Sequence, residues 1–495
     1  MIGGLELLVG MPLLGAVAVL ALARRDAAAT WVGLGVASVT AVASAWPWVA
    51  ALRDGSAYAV ETDVAWIEPL GIRWHLGVDA LSAPLVVMTA LLSWCCLVAL
   101  VRRAPECGFR PGLVALVLVI EAGSIGTFAA LDLIVFFVFF ELVLIPMWFV
   151  IADWGDVGDP AGRRQAATRF LVVTVIGSAV MLVAFLLLHA ETGTFDLELL
   201  RARAGDIDHG TAVVIAALLA LGFGAKMPMW PLHFWLPDAH SKAPTVGSVL
   251  LAGVLLKLGT YGLLRFWRDV VPDGAVPVAP YLGALGVVGI VYGALACLAQ
   301  RDLKRLIAYS SIGHMGFVLL AISTLTPQGA LAANFANVAH GLITGLLFFV
   351  VGAIKDRVGS TDLASVGRAL YARAPRLAAV FAFAAFASLG LPGLAGFWGE
   401  MLAMLSAYAP NPALPRETYL VLMAVAGLGA VLTAVYFVVA VRRVCQGTAD
   451  RDAVPDVGTD EWVSWAPLVA LTVALGLFPA LMLWSAAPQV LAGGR

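Results

Sequence analysis

The sequence predicts an all-α polytopic membrane protein with about fourteen transmembrane helices. Three observations support this fold class: 61% of the 495 residues are hydrophobic, only 13% are charged, and the mean hydropathy is +0.95. A soluble chain carries about 25% charged residues. The excess of apolar side chains cannot all fit into one aqueous core, which indicates that lipid is the solvent. The net charge of −2 argues against a nucleic-acid-binding surface.

A spanning helix needs about 20 mostly apolar residues, and stretches of this kind recur along the whole chain. The predicted spans are residues 5–23, 30–52, 78–101, 111–130, 131–152, 167–190, 211–232, 243–267, 277–299, 304–325, 330–354, 376–408, 418–441 and 463–485. Only Leu131 and Asp132 separate the fourth span from the fifth. Residues 53–77 are hydrophilic but contain aromatic and β-branched side chains around Gly71, and we expect a short hairpin there.

Basic residues are distributed unequally between the two sets of predicted loops. Twenty of the 30 Lys and Arg residues fall on one side and eight on the other, and the last two, Lys226 and Lys257, lie inside spans. Cytoplasmic loops of membrane proteins are enriched in Lys and Arg, so the richer side is predicted to be cytoplasmic. With an even number of spans, both termini then lie on the periplasmic or external side.

Two predicted spans contain Pro and Gly close to a charged residue, Lys226 in the seventh and Glu400 in the twelfth. The predicted helix breaks are at Pro228, Pro231, Pro392 and Gly393. Proline removes a backbone donor, and interrupted helices at matching positions of two halves indicate inverted repeats with an ion site at their interface. We therefore expect two five-helix repeats, spans 4–8 and 9–13. The predicted segments are residues 1–110 with the hairpin, 111–267 and 277–441 as the repeats, and 442–495 as a cytoplasmic loop and last helix.

Single ionisable residues lie deep in several of these apolar spans. A charge at the centre of a membrane helix costs roughly 2.5–3.5 kcal/mol on insertion scales, so such groups are functional candidates by default. Here they indicate a path for protons or cations. The candidates for proton transfer are Glu141, Lys226, Lys257, His314, His340 and Glu400.

Each candidate also has a structural interpretation. Glu141 is compatible with a neutral carboxylic acid bonded to a neighbour, and Lys226 with a structural ion pair. Lys257 is compatible with a side chain that extends along the helix to the membrane surface. Glu400 is compatible with a cap on the second half of a broken helix, and the two histidines with hydrogen-bonded core residues. Glu121 is also intramembrane, and its sequence context assigns it no role.

Sequence motifs for a metal or cofactor site are absent. His233 and His240 lie on either side of Asp238, but their spacing matches no zinc pattern, and the acid between them fits a capped turn better. The five cysteines include no CxxC pair, and we expect small core-type residues rather than disulfide or iron–sulfur ligands. The sequence contains no phosphate-binding glycine loop in a strand–helix context and no haem motif.

Three segments resemble a known family. FFVFFELVLIPMWFVIADWG, KMPMWPLHFWLPDAHSKAPTVGSVLLAGVLLKLGTYGLLRF and QRDLKRLIAYSSIGHMGFVLLAI are similar to the antiporter-like proton-channel subunits of respiratory complex I. The resemblance covers nearly the whole chain and is to the subunit M type, called NADH dehydrogenase subunit 4 in mitochondria. It implies a fourteen-helix fold with two inverted five-helix repeats.

The resemblance also implies roles for individual residues. The family's fifth-helix Glu, seventh-helix Lys, eighth-helix Lys and central histidines match Glu141, Lys226, Lys257, His314 and His340. A Glu on the broken twelfth helix, here Glu400, is usual in subunit M. The related subunits L and N, and several cation/proton antiporter subunits, usually have Lys at that position.

The function that the resemblance implies is proton translocation by a membrane subunit of NADH:quinone oxidoreductase, coupled to electron transfer in partner subunits. The chain is then an enzyme subunit without its own redox site, and NADH, FMN, iron–sulfur clusters and quinone are expected in partner subunits. The expected surroundings are a bacterial inner membrane and other membrane-arm subunits, including neighbouring antiporter-like ones, with no nucleic acid. Two alternatives stay open: a subunit of a multi-subunit Na⁺/H⁺ antiporter, and a structural membrane spacer.

Overall fold

The structure, a computed structural model, describes residues 4–54, 58, 60–448 and 453–483. Most of these residues are helical. The helices of the first part are α1 (Gly4–Ala21), α2 (Asp26–Asp54), α3 (Ala83–Arg102), α4 (Arg110–Ala129), α5 (Leu133–Leu142), α6 (Leu144–Trp154), α7 (Pro160–Thr192) and α8 (Leu197–Arg203). The middle helices are α9 (His209–Lys226), α10 (Trp235–Lys242), α11 (Thr245–Leu250), α12 (Leu256–Gly262), α13 (Pro272–Ala299), α14 (Leu303–Ser323) and α15 (Pro327–Val358). The last helices are α16 (Leu363–Val366), α17 (Leu370–Arg373), α18 (Pro375–Ser388), α19 (Ala395–Tyr408), α20 (Arg416–Cys445) and α21 (Thr459–Leu477).

Twelve helices in the described part of the chain are long and apolar enough to cross a membrane. They correspond to the predicted spans other than the twelfth and fourteenth. The twelfth is divided into the short helices α18 and α19, and the fourteenth is α21, beyond which residues 484 and 485 lie outside the described ranges. The all-α polytopic fold class is confirmed, whereas the count of fourteen crossings stays a prediction.

Backbone interruptions occur in both predicted spans that contain proline near a charge. Helix α9 ends at Lys226 and α10 begins at Trp235, so Pro228 and Pro231 lie between them. Helix α18 ends at Ser388 and α19 begins at Ala395, with Pro392 and Gly393 in the gap.

The fifth span has an interruption that was not predicted from the sequence. Helix α5 ends at Leu142 and α6 begins at Leu144, so the break lies beside Glu141. Pro146 explains it, because a proline has no N–H to donate to the carbonyl four residues earlier, which is that of Leu142. Glu141 therefore lies at a discontinuity, as Lys226 does.

The eighth span is wholly buried and partly π-helical. The α-helices α11 and α12 are joined by a π-helical segment, Leu251–Leu255, and a second one, Leu263–Arg268, follows α12. Lys257 lies in the short α-helical stretch between them. π-Helical turns interrupt the regular hydrogen bonding of an α-helix and are often found at functional sites.

Burial separates the inner helices from the outer ones. The apolar window of α15 is fully buried, as is that of the eighth span. In contrast, α1, α2 and α20 expose large apolar side chains, such as Leu14 at 71%, Val42 at 77% and Val431 at 59%. Exposed apolar surface of this kind is suited to lipid, whereas Lys226, Lys257 and His340 are at most 4% exposed.

The predicted hairpin is present and consists of two antiparallel strands, β1 (Val60–Ile67) and β2 (Ile72–Val78). Gly71 adopts a left-handed φ of 66° in the turn between them. The buried ring of His75 on β2 bonds to Asp196 at 2.5 Å and to Glu61 at 2.8 Å. We call this end of the molecule the hairpin end. The opposite end, where Arg103 pairs with Asp356 and Arg357 with Glu461, is called the basic end.

Two similar backbone clasps lie at opposite ends of the molecule. At the hairpin end, Asp132 and Asp196 form an antiparallel bridge, and each carboxylate caps the helix that follows. At the basic end, Asp302 and Asp362 form the same bridge and also cap the following helices. In all four cases the next residue is Leu, whose N–H donates to the partner segment at 2.7–2.9 Å.

Candidate functional site

Lys226 lies at the last residue of α9, where the helix stops, and is only 2% exposed. Its Nζ donates to the carbonyl oxygen of Phe140 at 3.3 Å and lies 4.2 Å from the centre of the Phe140 ring. Both partners are on α5, one residue before Glu141. The interrupted helices α5 and α9 therefore bring the two predicted residues into the same region.

Glu141 and Lys226 do not form a direct ion pair. Within the described residues, no Lys226 nitrogen lies within 4.0 Å of a Glu141 oxygen, and Glu141 Oε1 is buried without a hydrogen-bond partner. Lys226 instead bonds to the neighbouring Phe140. The acid and the base therefore lie in the same region of the molecule without direct contact.

Lys257 is fully buried on α12 and contacts a second predicted residue directly. Its Nζ lies 2.5 Å from His340 Nδ1 and donates to the Ala252 carbonyl oxygen at 2.6 Å. Ala252 belongs to the π-helical segment Leu251–Leu255. A lysine that donates to Nδ1 leaves the hydrogen of a neutral imidazole on Nε2. Nε2 of His340 is buried and has no partner within the part of the chain that the structure describes.

His314, His340 and Glu400 form the other part of this cluster. The rings of His314 and His340 are perpendicular, with centroids 5.5 Å apart. His314 Nδ1 lies 3.7 Å from Glu400 Oε1, and its Nε2 lies 2.8 Å from Ser388 Oγ. Four of the six predicted proton-transfer residues, together with the unpredicted Ser388, are thereby joined in one sequence of contacts.

A small internal cavity lies inside this cluster. Its volume is about 30 Å³, and its lining includes His314, His340, Ser388 and Glu400. A site needs about 10–15 Å³ of this kind of volume, and two to four polar partners, to hold one water. The cavity is therefore large enough for a water that bridges the two imidazoles and the carboxyl group.

The break between α18 and α19 positions Glu400. Gly390 has a φ of +82°, and a Cβ built on it would lie 3.1 Å from Glu400 Oε2. Only glycine adopts this left-handed conformation without strain and also leaves room for the carboxyl group. The broken helix thus supports the acid directly through the backbone of its turn.

Other singled-out groups do not join this cluster by direct contact. No hydrogen bond within the described ranges joins Lys226 to Lys257. Glu121 is fully buried on α4, and neither of its carboxyl oxygens has a partner there. The ring of His240 stacks on Phe348 at 4.5 Å, and neither of its nitrogens is bonded. A search of the described residues found no group of three His, Cys, Asp or Glu side chains arranged to hold a metal ion.

Two functional features were not predicted from the sequence. Arg265 was counted with the loop residues, but it is 3% exposed and forms an ion pair with the buried Asp79. Its Nε donates to Tyr261 Oη at 2.8 Å, and Tyr261 Oη donates to the Phe128 carbonyl oxygen at 2.8 Å. Seven apolar or neutral residues separate Lys257 from Arg265. This run was the sequence signal that the buried helix continues as far as Arg265.

A larger polar cavity of about 560 Å³ opens at the basic end. Lys304, which is 3% exposed, lines it and donates from Nζ to the Ala243 carbonyl oxygen at 2.8 Å. Arg103, Lys355 and Asp356 are also part of the lining. Water entering this cavity meets charged side chains at the level of the helix ends.

Comparisons with known proteins identify the family of the chain. A family model described as "NADH:quinone oxidoreductase/Mrp antiporter, TM" matches residues 130–433. NADH-quinone oxidoreductase subunit M of Rhodobacter capsulatus is 38% identical over 96% of this chain and 94% of its own length. A chain of respiratory complex I from Thermus thermophilus with bound NADH has a TM-score of 0.86 at 29% identity, covering 99% of this chain and 100% of that one. A chain of the Mrp complex from Dietzia sp. DQ12-45-1b has a TM-score of 0.86 at 26% identity, covering 99% of this chain and 52% of that one.

Proposed function

Because the chain belongs to the NADH:quinone oxidoreductase/Mrp antiporter membrane family, we propose that its buried Glu, Lys and His side chains carry protons across the membrane. The chain is an antiporter-like membrane subunit of NADH:quinone oxidoreductase. NADH, FMN, iron–sulfur clusters and quinone belong to partner subunits in this proposal, and their electron transfer drives the proton movement here.

The observation that carries the proposal is the series of neighbours Lys257, His340, His314 and Glu400 around a water-sized cavity, in which Lys257 and His340 lie within hydrogen-bond distance. Lysine, imidazole and carboxyl groups can each gain or lose a proton, and protons pass between such groups over hydrogen-bond distances or through one water. Ionisable groups that face the interior of a helix bundle are typical of proton relays.

In this proposal the distance between Lys226 and Glu141 changes and controls when the lysine releases its proton. When an ammonium and a carboxylate approach to about 4 Å, their attraction is about 4 kcal/mol at an effective dielectric constant of 20. That energy changes proton affinity roughly a thousandfold, since about 1.4 kcal/mol corresponds to a factor of ten. In the present arrangement Lys226 bonds to Phe140 instead. Movement of Glu141 toward Lys226 would hold the proton on the lysine, and separation would release it toward Lys257 through water.

The proposal includes two inverted five-helix repeats, residues 111–267 and 277–441, within fourteen crossings. Supporting it are the two Asp–Leu clasps, one at the hairpin end of the first repeat and one at the basic end of the second. The interrupted helix is the fourth of each repeat, in keeping with an ion path at the repeat interface. By the distribution of Lys and Arg, the basic end is assigned to the cytoplasm and both termini to the opposite side.

The test is pumping by the assembled complex in vesicles, with Lys226→Ala and Glu141→Ala as variants. We expect both to lower proton pumping and the coupled quinone reduction together, by roughly tenfold or more, because each removes a proton-transfer group. Lys242→Ala is the matched control, since Lys242 lies at the basic end in ion pairs with Asp156 and Asp159. Normal pumping by Lys226→Ala at normal assembly would refute the proposal and favour a structural spacer.

A further inference from the structure

One face of the wholly buried helix α15 carries a row of polar residues. Asn334, Asn337, His340 and Thr344 follow one another at spacings of three and four residues, which places them on the same side of a helix. Each is at most 4% exposed. At 1.5 Å per residue, the row covers about 15 Å, or half of the hydrocarbon core. We call it the α15 stripe.

Every member of the α15 stripe has a polar atom without a partner in the described part of the chain. Both amide atoms of Asn334 are unbonded, as are Asn337 Nδ2, His340 Nε2 and Thr344 Oγ1. Such groups are rare in folded proteins, and a buried polar atom without a protein partner is usually bonded to an internal water. A row of four such residues on one helix face indicates a row of water positions.

Four other buried threonines in the helices have their hydroxyls satisfied locally. Thr89, Thr127, Thr174 and Thr472 each donate to the carbonyl oxygen four residues earlier. Thr344 has no such bond. The chain has three asparagines, and two of them lie in the α15 stripe. The α15 stripe thus differs from these threonines in having polar atoms without a local partner.

The stripe connects the proton-transfer cluster with the hairpin end. Asn337 is one turn from His340 in that direction, and its Oδ1 accepts from Thr260 Oγ1 at 3.0 Å. Thr260 Oγ1 also lies 3.0 Å from the carbonyl oxygen of Lys257. Asn334 lies one further turn toward the start of α15 at Pro327, which belongs to the hairpin end. The stripe runs along the axis of α15.

We propose that Asn334 and Asn337 hold a file of waters through which protons pass between His340 and the hairpin end of the subunit. This inference rests on the proposed function and names its route to one membrane surface. Amide groups suit the task because they both donate to and accept from water. They do not titrate, so they orient waters without retaining the proton that His340 releases.

The test compares Asn334→Leu with wild type in the assembled complex. Leucine has nearly the shape of asparagine but cannot bond to water. We expect proton pumping to fall roughly tenfold, as for loss of one water-mediated link in the path. A merely structural asparagine predicts the opposite, because an unbonded buried amide can be replaced by an apolar group of similar shape without loss of stability. Full pumping by Asn334→Leu would overturn the inference.

A second pair of variants keeps the test decisive if Asn334→Leu assembles poorly. Asn334→Thr and Asn334→Val differ only in a hydroxyl against a methyl group. Pumping by the threonine variant with loss in the valine variant supports the water file, and equal pumping by both overturns it. Ser124→Ala is the matched control, since it removes another buried, unbonded hydroxyl on α4 and should pump normally.

Lys226→Ala in the same assay separates this inference from the proposed function. Loss of pumping in Lys226→Ala with normal pumping in Asn334→Leu and Asn334→Val rejects the water file alone. Normal pumping in Lys226→Ala rejects the proton path as a whole.

Discussion

Asp79 and Arg265 form an ion pair that is almost completely removed from solvent, at 6% and 3% exposure. The Asp79 carboxylate also accepts from the backbone N–H groups of Leu81 and Ser82 at 3.0 and 2.9 Å. Arg265 is further held by Tyr261. The pair therefore fixes the start of α3 to the end of the eighth span at the hairpin end.

Removing one member of this pair leaves the other charge buried without compensation. We expect Asp79→Asn to destabilise the subunit by about 3–5 kcal/mol, the usual cost of breaking a buried ion pair. The measurement is the thermal denaturation midpoint and assembly level of the purified complex. Asp63→Asn is the control: its pair with Arg73 is 37–41% exposed and should contribute about 1 kcal/mol or less. Equal effects of the two variants would contradict the assignment.

At the same scale, charged residues were easier to predict than neutral ones. A lone lysine in an apolar run, as at Lys226 or Lys257, is costly in lipid, so its presence in the sequence already indicates an interior location. An amide such as Asn334 carries no comparable signal in NFANVAHG. Its significance depends on the absence of a hydrogen-bond partner on the surrounding helices, which only the folded structure shows.

The β1–β2 hairpin is held to the helices by one titratable ring. Burial lowers the pKa of His75, but the hydrogen bonds to Asp196 and Glu61 raise it more, to about 9. The charged ring is thus the form present at neutral pH. Asp196 also caps α8, so the same carboxylate joins the hairpin to the clasp at Asp132.

A raised pKa makes the attachment of the hairpin pH-dependent. Since the folded-state pKa lies above the usual value of 6.5, the stabilisation is complete below that value and is lost as pH rises through about 9. At about 1.4 kcal/mol per pKa unit, it amounts to at most about 3.5 kcal/mol. We expect the denaturation midpoint of wild type to fall more between neutral and strongly alkaline pH than that of His75→Gln, which cannot titrate. Parallel pH profiles of the two proteins would disprove this role.

Helices and their breaks were predictable to different degrees. The breaks near Lys226 and Glu400 were predicted from proline and glycine in apolar runs. The break in the fifth span was not predicted, although Pro146 is a sequence signal for it. The π-helical segments around Lys257 were not, because they depend on packing between helices rather than on residue type. The paired Asp–Leu clasps were visible in the sequence as short repeats, but two residues are too few to identify a repeat without their contacts.

For the whole molecule, the described interior is largely apolar and contains a few buried ionisable residues, and none of these residues carries electrons in the proposed mechanism. Proton movement here must then follow from events in other subunits. Family membership includes both NADH:quinone oxidoreductases and Mrp antiporters. The oxidoreductase and the antiporter differ in the proteins bound to this subunit. Identifying those partner proteins is therefore the measurement that distinguishes them.

We expect the full chain, purified through a tag from native membranes in mild detergent, to bring with it the subunits that handle NADH and quinone. Subunit identification by mass spectrometry is the measurement. Recovery with only cation/proton antiporter subunits would indicate instead that the subunit couples H⁺ movement to Na⁺ movement. In that case pumping by the isolated complex should require sodium, and it should not require NADH.

The enclosure of α15 has a consequence for biosynthesis. Helices of a polytopic chain enter the bilayer from the ribosome in order, so α15 first meets hydrocarbon and only later its neighbours. During that interval two asparagines, a histidine and a threonine face acyl chains, which disfavours leaving the helix there. The downstream helices α18, α19 and α21 complete its surroundings. If synthesis stops before these helices, α15 lacks its packing partners. We then expect the incomplete chain to be degraded.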